Sequence, residues 1–154
     1  MKIAIIYTSK TGNTEELIYL MKKIFQLKKV ELFLYRIDQF PLLDLIKFDG
    51  IVVGTYTWGM GEIPPEMMDL YHAFEALDVK RVITGIVGTG DTGYPNFCGA
   101  VDRFKNMLFV QTELAVTLKV ELTPQTNDVQ RCERFVNIFL ELLNYQNNKT
   151  ENAI

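Results

Sequence analysis

The sequence predicts an α/β fold, a doubly wound parallel sheet of five strands with helices on both faces. Short, apolar, β-branched segments alternate with longer segments whose apolar residues recur at helical spacing, and this alternation is typical of parallel sheets. Polar, glycine-rich loops follow the first, third and fourth of these strands. Because ligands of such sheets bind at the carboxyl ends of the strands, the three loops indicate one binding site.

Five segments are predicted strands because they are short, apolar and partly β-branched. Pro41 stops the second strand, and the fifth is the least sharply bounded. Since crossovers between parallel strands are right-handed, only a few doubly wound strand orders remain. The predicted strands cover residues 2–7, 30–37, 50–55, 81–88 and a stretch within 113–122.

Apolar stripes at helical spacing predict four helices between and after these strands. The stripes are Leu17, Leu20, Met21, Ile24 and Leu27; Met68, Tyr71, Phe74 and Leu77; Phe97, Ala100, Val101, Phe104 and Leu108; and Cys132, Phe135, Val136, Phe139, Leu140 and Leu143. Pro64 and Pro65 suit the first turn of the second helix. We expect one domain over residues 1–145, followed by a frayed C-terminal tail over 146–154.

Composition narrows the possible functions. A net charge of −3 argues against nucleic acid as a partner, and no apolar run reaches the ~20 residues of a membrane span. We therefore expect a cytoplasmic protein without a membrane partner. Cys98 and Cys132 are expected to be buried free thiols. His72 is the single histidine, so neither a His-based metal site nor nucleophile–His catalysis is expected, and the chemistry should belong to a bound group.

The first loop, TSKTGNTEE over residues 8–16, has the composition of an anion site. Amides at a helix start point outward, and the helix dipole favours negative charge there. Ser9, Thr11 and Thr14 add hydroxyl groups, and Gly12 allows close approach to the backbone. The loop lacks the Gly-Lys-Ser/Thr of a Walker A motif and the three glycines of a dinucleotide fingerprint. From the residues alone, a plain helix cap remains an equal alternative.

Together the three loops resemble those of the flavodoxins. SKTGNTE resembles their phosphate-binding loop, TYTWGMGE their second loop, and GTGDTGYPNFCGAVD their third loop. The likeness continues through LKVELTP to the final helix and so covers nearly the whole chain. It implies the flavodoxin-like strand order 2-1-3-4-5, a short-chain flavodoxin, non-covalent FMN and a monomer.

The resemblance also implies which residues bind the cofactor. The first loop would hold the phosphate without a dedicated cation, with Lys10 pointing to solvent. Trp58 and Tyr94 would sandwich the flavin ring, and their loop positions make a core role for them less consistent with the sequence. The implied set is Ser9, Lys10, Thr11, Gly12, Asn13 and Thr14; Thr55, Tyr56, Thr57, Trp58, Gly59, Met60 and Gly61; and Thr89, Gly90, Asp91, Tyr94, Asn96, Phe97 and Cys98.

The peptide that joins Gly59 to Met60 is the expected redox-coupled element. In flavodoxins the corresponding peptide reorients on reduction, so that its carbonyl accepts a hydrogen bond from flavin N5–H, and glycine tolerates the required backbone angles. Asp91 would either line the pyrimidine edge of the ring or simply form a turn, and the sequence leaves both roles open. Cys98 is expected to pack beneath the site without reacting.

The charge near the site departs from the family's habit. Glu62, Glu66 and Asp69 form an acidic stretch, which would lower the second reduction potential, but Met60 stands where many flavodoxins carry an acidic residue. We therefore expect a less negative second potential than in strongly acidic flavodoxins. Alternatively, Met60 only provides a soft apolar contact at a docking surface.

The resemblance implies a low-potential one-electron carrier rather than an enzyme. Its expected partners are an NAD(P)H-dependent flavodoxin or ferredoxin reductase and acceptor redox enzymes such as ribonucleotide reductase activating systems. A dedicated activator of the ribonucleotide reductase metal site is an alternative, although such proteins are usually shorter. An FMN-dependent quinone or NAD(P)H oxidoreductase is another, but Trp58 and Tyr94 would cover both ring faces. A receiver domain is discarded because Gly54 and Thr55 replace its phosphoacceptor Asp.

Overall fold

The computed structural model describes residues 1–153 of the 154-residue chain. Five strands and four α-helices follow one another, and short 3₁₀ segments at Ile37–Gln39 and Leu42–Lys47 replace a helix between the second and third strands. The elements are β1 (Lys2–Tyr7), α1 (Asn13–Gln26), β2 (Glu31–Arg36), β3 (Gly50–Thr55), α2 (Met68–Ala76), β4 (Ile83–Gly90), α3 (Gly99–Gln111), β5 (Glu113–Glu121) and α4 (Thr126–Asn152).

The strands form one parallel sheet in the order β2-β1-β3-β4-β5, which confirms the predicted topology. Ile5 pairs with Leu34 of β2 on one side and with Val52 of β3 on the other. The chain runs outward from β1 to β2 and then returns past β1 to β3. The winding therefore reverses between β1 and β3, and this is where a doubly wound sheet binds its ligand.

Each face of the sheet carries its own apolar core, because alternate residues of a strand point to opposite faces. On β1, Ile3 and Ile5 pack with residues of α1 and α4, including Leu17 and Phe139. Ala4 and Ile6 pack on the other face with residues of α2 and α3. The helices thus cover both faces, as the sequence predicts, and hold the strand ends in fixed positions.

The structure corrects several boundaries. β4 covers Ile83–Gly90, two residues later than predicted. Leu27 is 81% exposed because α1 ends at Gln26, so this residue does not belong to the buried stripe.

The expected frayed tail is instead helical, since α4 continues to Asn152. Gln146 Nε2 donates a hydrogen bond to the carbonyl of Arg81 over 2.7 Å, and Leu143 one turn earlier is buried. These contacts attach the start of the segment to the body of the protein just before β4, whereas Ile154 lies outside the described residues. Within residues 1–153, no helix combines the length and the apolar character that crossing a bilayer requires.

Candidate functional site

Three loops meet at the carboxyl edge of the sheet, around the point where the winding reverses. We call them the first loop (residues 8–12, after β1), the second loop (residues 56–64, after β3) and the third loop (residues 91–98, after β4). Because β1, β3 and β4 are adjacent strands, the loops predicted to form one site are neighbours in the structure.

The first loop presents free backbone amides at the start of α1. Gly12 precedes the helix with φ +94°, and the amides of residues 10–14 have no acceptor within residues 1–153. They lie at the positive end of the helix dipole, where an anion is stabilised. Ser9 Oγ accepts the Glu15 amide over 3.2 Å. The Ser9 hydroxyl therefore also caps the start of α1, so the interpretation of this loop as a helix cap holds for this residue.

Two threonines predicted to contact the cofactor have hydroxyls that are hydrogen-bonded within the protein. Thr14 Oγ1 lies 2.7 Å from Thr89 Oγ1, and both side chains are buried. Thr55 Oγ1 donates to the carbonyl of Tyr56 over 2.8 Å. The Thr14–Thr89 hydrogen bond therefore links the start of α1 to the end of β4, across the strand between them.

The second loop folds into a tight turn from Trp58 to Glu62. The Trp58 amide donates to the Glu62 carbonyl over 2.8 Å, and the Glu62 amide donates to the Trp58 carbonyl over 2.7 Å. Gly59 and Gly61 have φ +52° and φ +103°, a region that glycine occupies at little cost. Within residues 1–153, the Gly59 carbonyl and the Met60 amide have no hydrogen-bond partner. The peptide predicted to reorient is thus unrestrained by hydrogen bonds.

The far side of this turn is held by the third loop and α3. Asn96 Nδ2 donates to the Met60 carbonyl over 2.9 Å, and Arg103 Nε donates to the Gly61 carbonyl over 3.0 Å. Sequence reasoning assigned Asn96 to the cofactor and missed Arg103 altogether. No local signal could have revealed either contact, because the partners are 36 and 42 residues apart.

The third loop is stabilised mainly by its own turn and by β5. Asp91 Oδ1 accepts the Gly93 amide over 2.8 Å, which favours the turn-forming role of Asp91 among the two left open. Lys119 Nζ donates to the Phe97 carbonyl over 3.3 Å, another contact that the sequence did not reveal. Cys98 is buried, and burial raises the pKa of its thiol to about 11. At neutral pH the thiol is therefore protonated, in keeping with an unreactive packing role.

A cavity of about 380 Å³ opens between the second and third loops. Tyr94, 67% exposed, lines it, and Trp58 on the second loop is 39% exposed. Such exposure excludes a core role for either aromatic. The cavity is lined by Thr57, Gly59, Gly90, Asp91, Tyr94, Pro95, Asn96, Phe97 and Cys98.

Lys10 departs from its predicted position. Its side chain is exposed, as expected, but its ammonium lies 4.4 Å from the centre of the Trp58 ring. A cation at this distance is attracted by the negative face of the indole. Lys10 therefore contacts one of the two candidate stacking residues instead of pointing away from the site.

One carboxylate of the acidic stretch is fixed beside the first two loops. Glu66 Oε1 accepts hydrogen bonds from the Tyr56 hydroxyl over 2.5 Å and from Thr8 Oγ1 over 3.3 Å. Burial, together with the hydrogen bond to Glu66, raises the pKa of Tyr56 well above its ordinary value. Glu62 and Asp69 are exposed. The carboxylates thus give this edge of the protein a negative rim.

Cavity volume alone does not identify the site. A cavity of about 330 Å³ lies at the opposite edge of the sheet, near Asp49, Asp78 and Arg81. It has neither exposed aromatic side chains among its lining residues nor a helix N-terminus with free amides. At the carboxyl edge, an exposed aromatic side chain lines the cavity and the free amides of α1 lie on the neighbouring first loop. This combination fits a planar ring carrying an anionic group.

Comparison with known proteins agrees with this site. Residues 5–135 match the family model described as Flavodoxin. The chain is 35% identical over 150 residues to "Probable flavodoxin 1" of Bacillus subtilis (strain 168), covering 95% of this chain and 94% of that protein. It is also similar to the crystal structures of two oxidised flavodoxins of Bacillus cereus. Flavodoxin 2 has a TM-score of 0.86 and 37% identity over 92% of this chain and 99% of that chain. Flavodoxin 1 has a TM-score of 0.85 and 33% identity over 92% and 98%.

A five-stranded doubly wound sheet, with three neighbouring loops at its carboxyl edge and a cavity between two of them, defines a carboxyl-edge binding protein of the α/β class. The matches specify that class further: the chain belongs to the flavodoxin family and is a short-chain flavodoxin. Its cofactor is FMN and its activity is low-potential electron transport, which in flavodoxins is transfer between proteins and not catalysis of a substrate reaction.

Proposed function

We propose that this flavodoxin receives electrons from an NAD(P)H-dependent flavoprotein reductase and passes them singly to acceptor redox enzymes. The observation that carries the proposal is the arrangement of unpartnered amides at residues 10–14 beside the exposed aromatics Trp58 and Tyr94. This arrangement fits the phosphate and the planar ring of FMN. When bound, FMN supplies the one-electron chemistry, and the chain supplies binding, orientation and electrostatics.

The phosphate is held by the start of α1 without a dedicated cation. The free amides of residues 10–14 lie at the positive end of the α1 dipole and can donate hydrogen bonds to an anion. The hydroxyls of Ser9 and Thr11 supply further donors. The only lysine of the loop, Lys10, is engaged with the Trp58 ring. Thr14 contributes its amide, because its hydroxyl is bonded to Thr89.

The flavin ring would lie between the second and third loops, where Trp58 and Tyr94 would bury its faces. A stacked aromatic pair contributes ~0.5–1.5 kcal/mol beyond the area it buries. Met60, 67% exposed, adds apolar surface to the second loop, and the exposed carboxylates Glu62, Glu66 and Asp69 add negative charge within and just after this loop. An apolar centre with an acidic rim suits small, transient interfaces with reductase and acceptor.

This docking surface favours a protein that transfers electrons between other proteins over an enzyme that acts on a small substrate. A quinone or NAD(P)H oxidoreductase needs an open ring face over which substrate can bind, and Trp58 and Tyr94 would cover both faces of the ring. Among the acceptors we include ribonucleotide reductase activating systems. We further propose that the protein acts as a cytoplasmic monomer.

The test is a visible absorption spectrum of the purified protein, followed by stepwise reduction without oxygen. A yellow protein that releases FMN on denaturation and takes up its electrons in two separate steps supports the carrier. Uptake of both electrons in a single step would point to a two-electron oxidoreductase instead. A colourless protein that cannot be reconstituted with FMN would overturn the proposal.

A further inference from the structure

In the Trp58–Glu62 turn, the carbonyls of Met60 and Gly61 are held by side chains from elsewhere in the protein, but the peptide before them is not held. The Met60 carbonyl accepts Asn96 Nδ2 over 2.9 Å and the Gly61 carbonyl accepts Arg103 Nε over 3.0 Å. The preceding peptide differs, because the Gly59 carbonyl and the Met60 amide have no partner within residues 1–153. A rotatable peptide therefore lies directly beside a fixed one.

Packing reinforces the restraint on the fixed side. A Cβ atom placed on Gly61 would lie 2.7 Å from Asn96 Cβ, so the Asn96 side chain rests directly on this part of the turn. Asn96 itself has φ +60°, a conformation that Asn adopts more readily than most residues. Both Gly59 and Asn96 line the cavity between the second and third loops. The free peptide and the side chain that holds the fixed one thus border the cofactor site together.

We propose that Asn96 is a positioning residue that clamps the Met60 carbonyl, confines rotation to the Gly59–Met60 peptide, and thereby raises the first reduction potential of the bound cofactor. The inference rests on the proposed function. Nitrogen N5 of a flavin is a hydrogen-bond acceptor when oxidised and carries a proton after reduction. A peptide that can turn its C=O towards N5 gains a hydrogen bond only after reduction, provided that its neighbours keep it in place.

The clamp acts on the two redox states unequally, and this fixes the sign of the effect. The hydrogen bond from N5–H to the Gly59 carbonyl would form only after reduction and would require an ordered turn. Without the Asn96 donor, ordering the turn costs more conformational entropy in the reduced state. Loss of one hydrogen bond corresponds to a threefold to tenfold change in an equilibrium constant. The first potential should therefore become more negative by about 28–59 mV, at ~59 mV per tenfold for one electron.

The experiment compares Asn96→Ala with Asn96→Gly in the FMN-loaded protein. Both variants remove the amide donor, but only alanine is strained at φ +60°. Both reduction potentials are measured by spectroelectrochemical titration, and exchange of the Gly61 and Glu62 amides is followed by NMR. We expect both variants to lower the first potential equally and to accelerate exchange at both amides. The control Asn144→Ala, at an exposed position of α4, should change neither quantity.

Two results would overturn the clamp. In one, neither variant shifts the first potential; in the other, alanine shifts it and glycine does not, which assigns the effect to backbone strain. If a variant fails to retain FMN, amide exchange in its cofactor-free form decides, and rates equal to those of the wild-type chain refute the proposal. Failure of the wild-type chain itself to bind FMN would refute the proposed function instead.

Discussion

The first and second loops border the same site but obtain their shapes in different ways. Thr8 of the first loop is bonded to the distant Gly54 and Glu66, but the part of the loop that starts α1 is organised by its sequence neighbours. There, Ser9 Oγ accepts the Glu15 amide and the Gly12 carbonyl accepts the Glu16 amide. The second loop is held from a distance, because its carbonyls are fixed by Asn96 and Arg103, 36 and 42 residues along the chain. Anion binding is therefore a local property of a helix start, whereas the geometry at the flavin ring depends on tertiary packing.

The largest expected effect comes from placing a methyl group at the two glycines that shape these loops. Gly12 and Gly61 both have φ near +100°, but a Cβ on Gly12 meets no atom within 4 Å, whereas one on Gly61 lies 2.7 Å from Asn96 Cβ. Gly12→Ala should lower the free energy of unfolding by ~1–2 kcal/mol, because alanine is strained in the left-handed backbone conformation. Gly61→Ala adds the cost of overpacking, a further ~1–3 kcal/mol.

Urea unfolding of the two cofactor-free variants measures this difference directly. Gly12→Ala is the matched control, because it has the same backbone strain without the steric contact. Equal losses of unfolding free energy would show that the second loop moves away from Asn96 easily. The contrast between a local and a tertiary loop would then be wrong.

The sequence was sufficient to predict the fold and the location of the site. Strands such as Lys2–Tyr7 and Gly50–Thr55 were predicted with the boundaries the structure shows, because buried parallel strands are short, apolar and distinctive. Glycine-rich loops after adjacent strands were sufficient to indicate the carboxyl edge. These signals are local, and each lies within about ten residues.

The parts that could not be predicted all depend on contacts between distant residues. Nothing near Thr14 reveals that its hydroxyl is bonded to Thr89, 75 residues away. Likewise, nothing near Lys10 indicates that its ammonium lies over the Trp58 ring. The sequence identifies which groups reach the site, but the side-chain network among them is set by packing. The cofactor contacts of individual residues therefore remain predictions.

A smaller effect is expected from the hydrogen bond between Thr14 and Thr89, which joins the local loop to the sheet. Replacing either buried threonine by the isosteric valine leaves the other hydroxyl without this partner, at a cost of ~1–3 kcal/mol. Replacing both removes the unsatisfied group, so the double variant should lose much less stability than the sum of the single variants. FMN affinity, measured by flavin fluorescence, should fall in each variant because the bond positions the start of α1.

The buried pair Thr84 and Thr112, whose hydroxyl oxygens are 2.6 Å apart, provides a matched control for this cycle. Thr84 lies near the N-terminal end of β4, whereas Thr89 lies near its C-terminal end. Valine at position 84 should therefore affect stability without affecting FMN affinity. Additive losses for Thr14 and Thr89 would mean that their hydroxyls are not coupled. An unchanged FMN affinity would mean that the start of α1 does not need this link.

The smallest expected effect concerns charge at the tip of the second loop. Met60 is 67% exposed, so a carboxylate introduced by Met60→Asp would be well solvated and would interact with added negative charge on the flavin through water. Two unit charges ~4 Å apart in water repel by about 1 kcal/mol, which is about 40 mV for one electron. The second reduction potential should therefore become more negative by at most this amount, and the shift should shrink as salt is added.

Val110→Asp is the control for Met60→Asp, because Val110 is similarly exposed (73%) and lies near the end of α3 away from the loops. It should leave both potentials unchanged. A second potential that does not move in Met60→Asp would show that charge at this position is fully screened, and that Met60 is not the reason for a less negative potential. A shift confined to the first potential would have a different meaning. It would indicate that the substitution alters the turn held by Asn96, so that even a largely exposed residue of the second loop acts through tertiary structure and not through its charge.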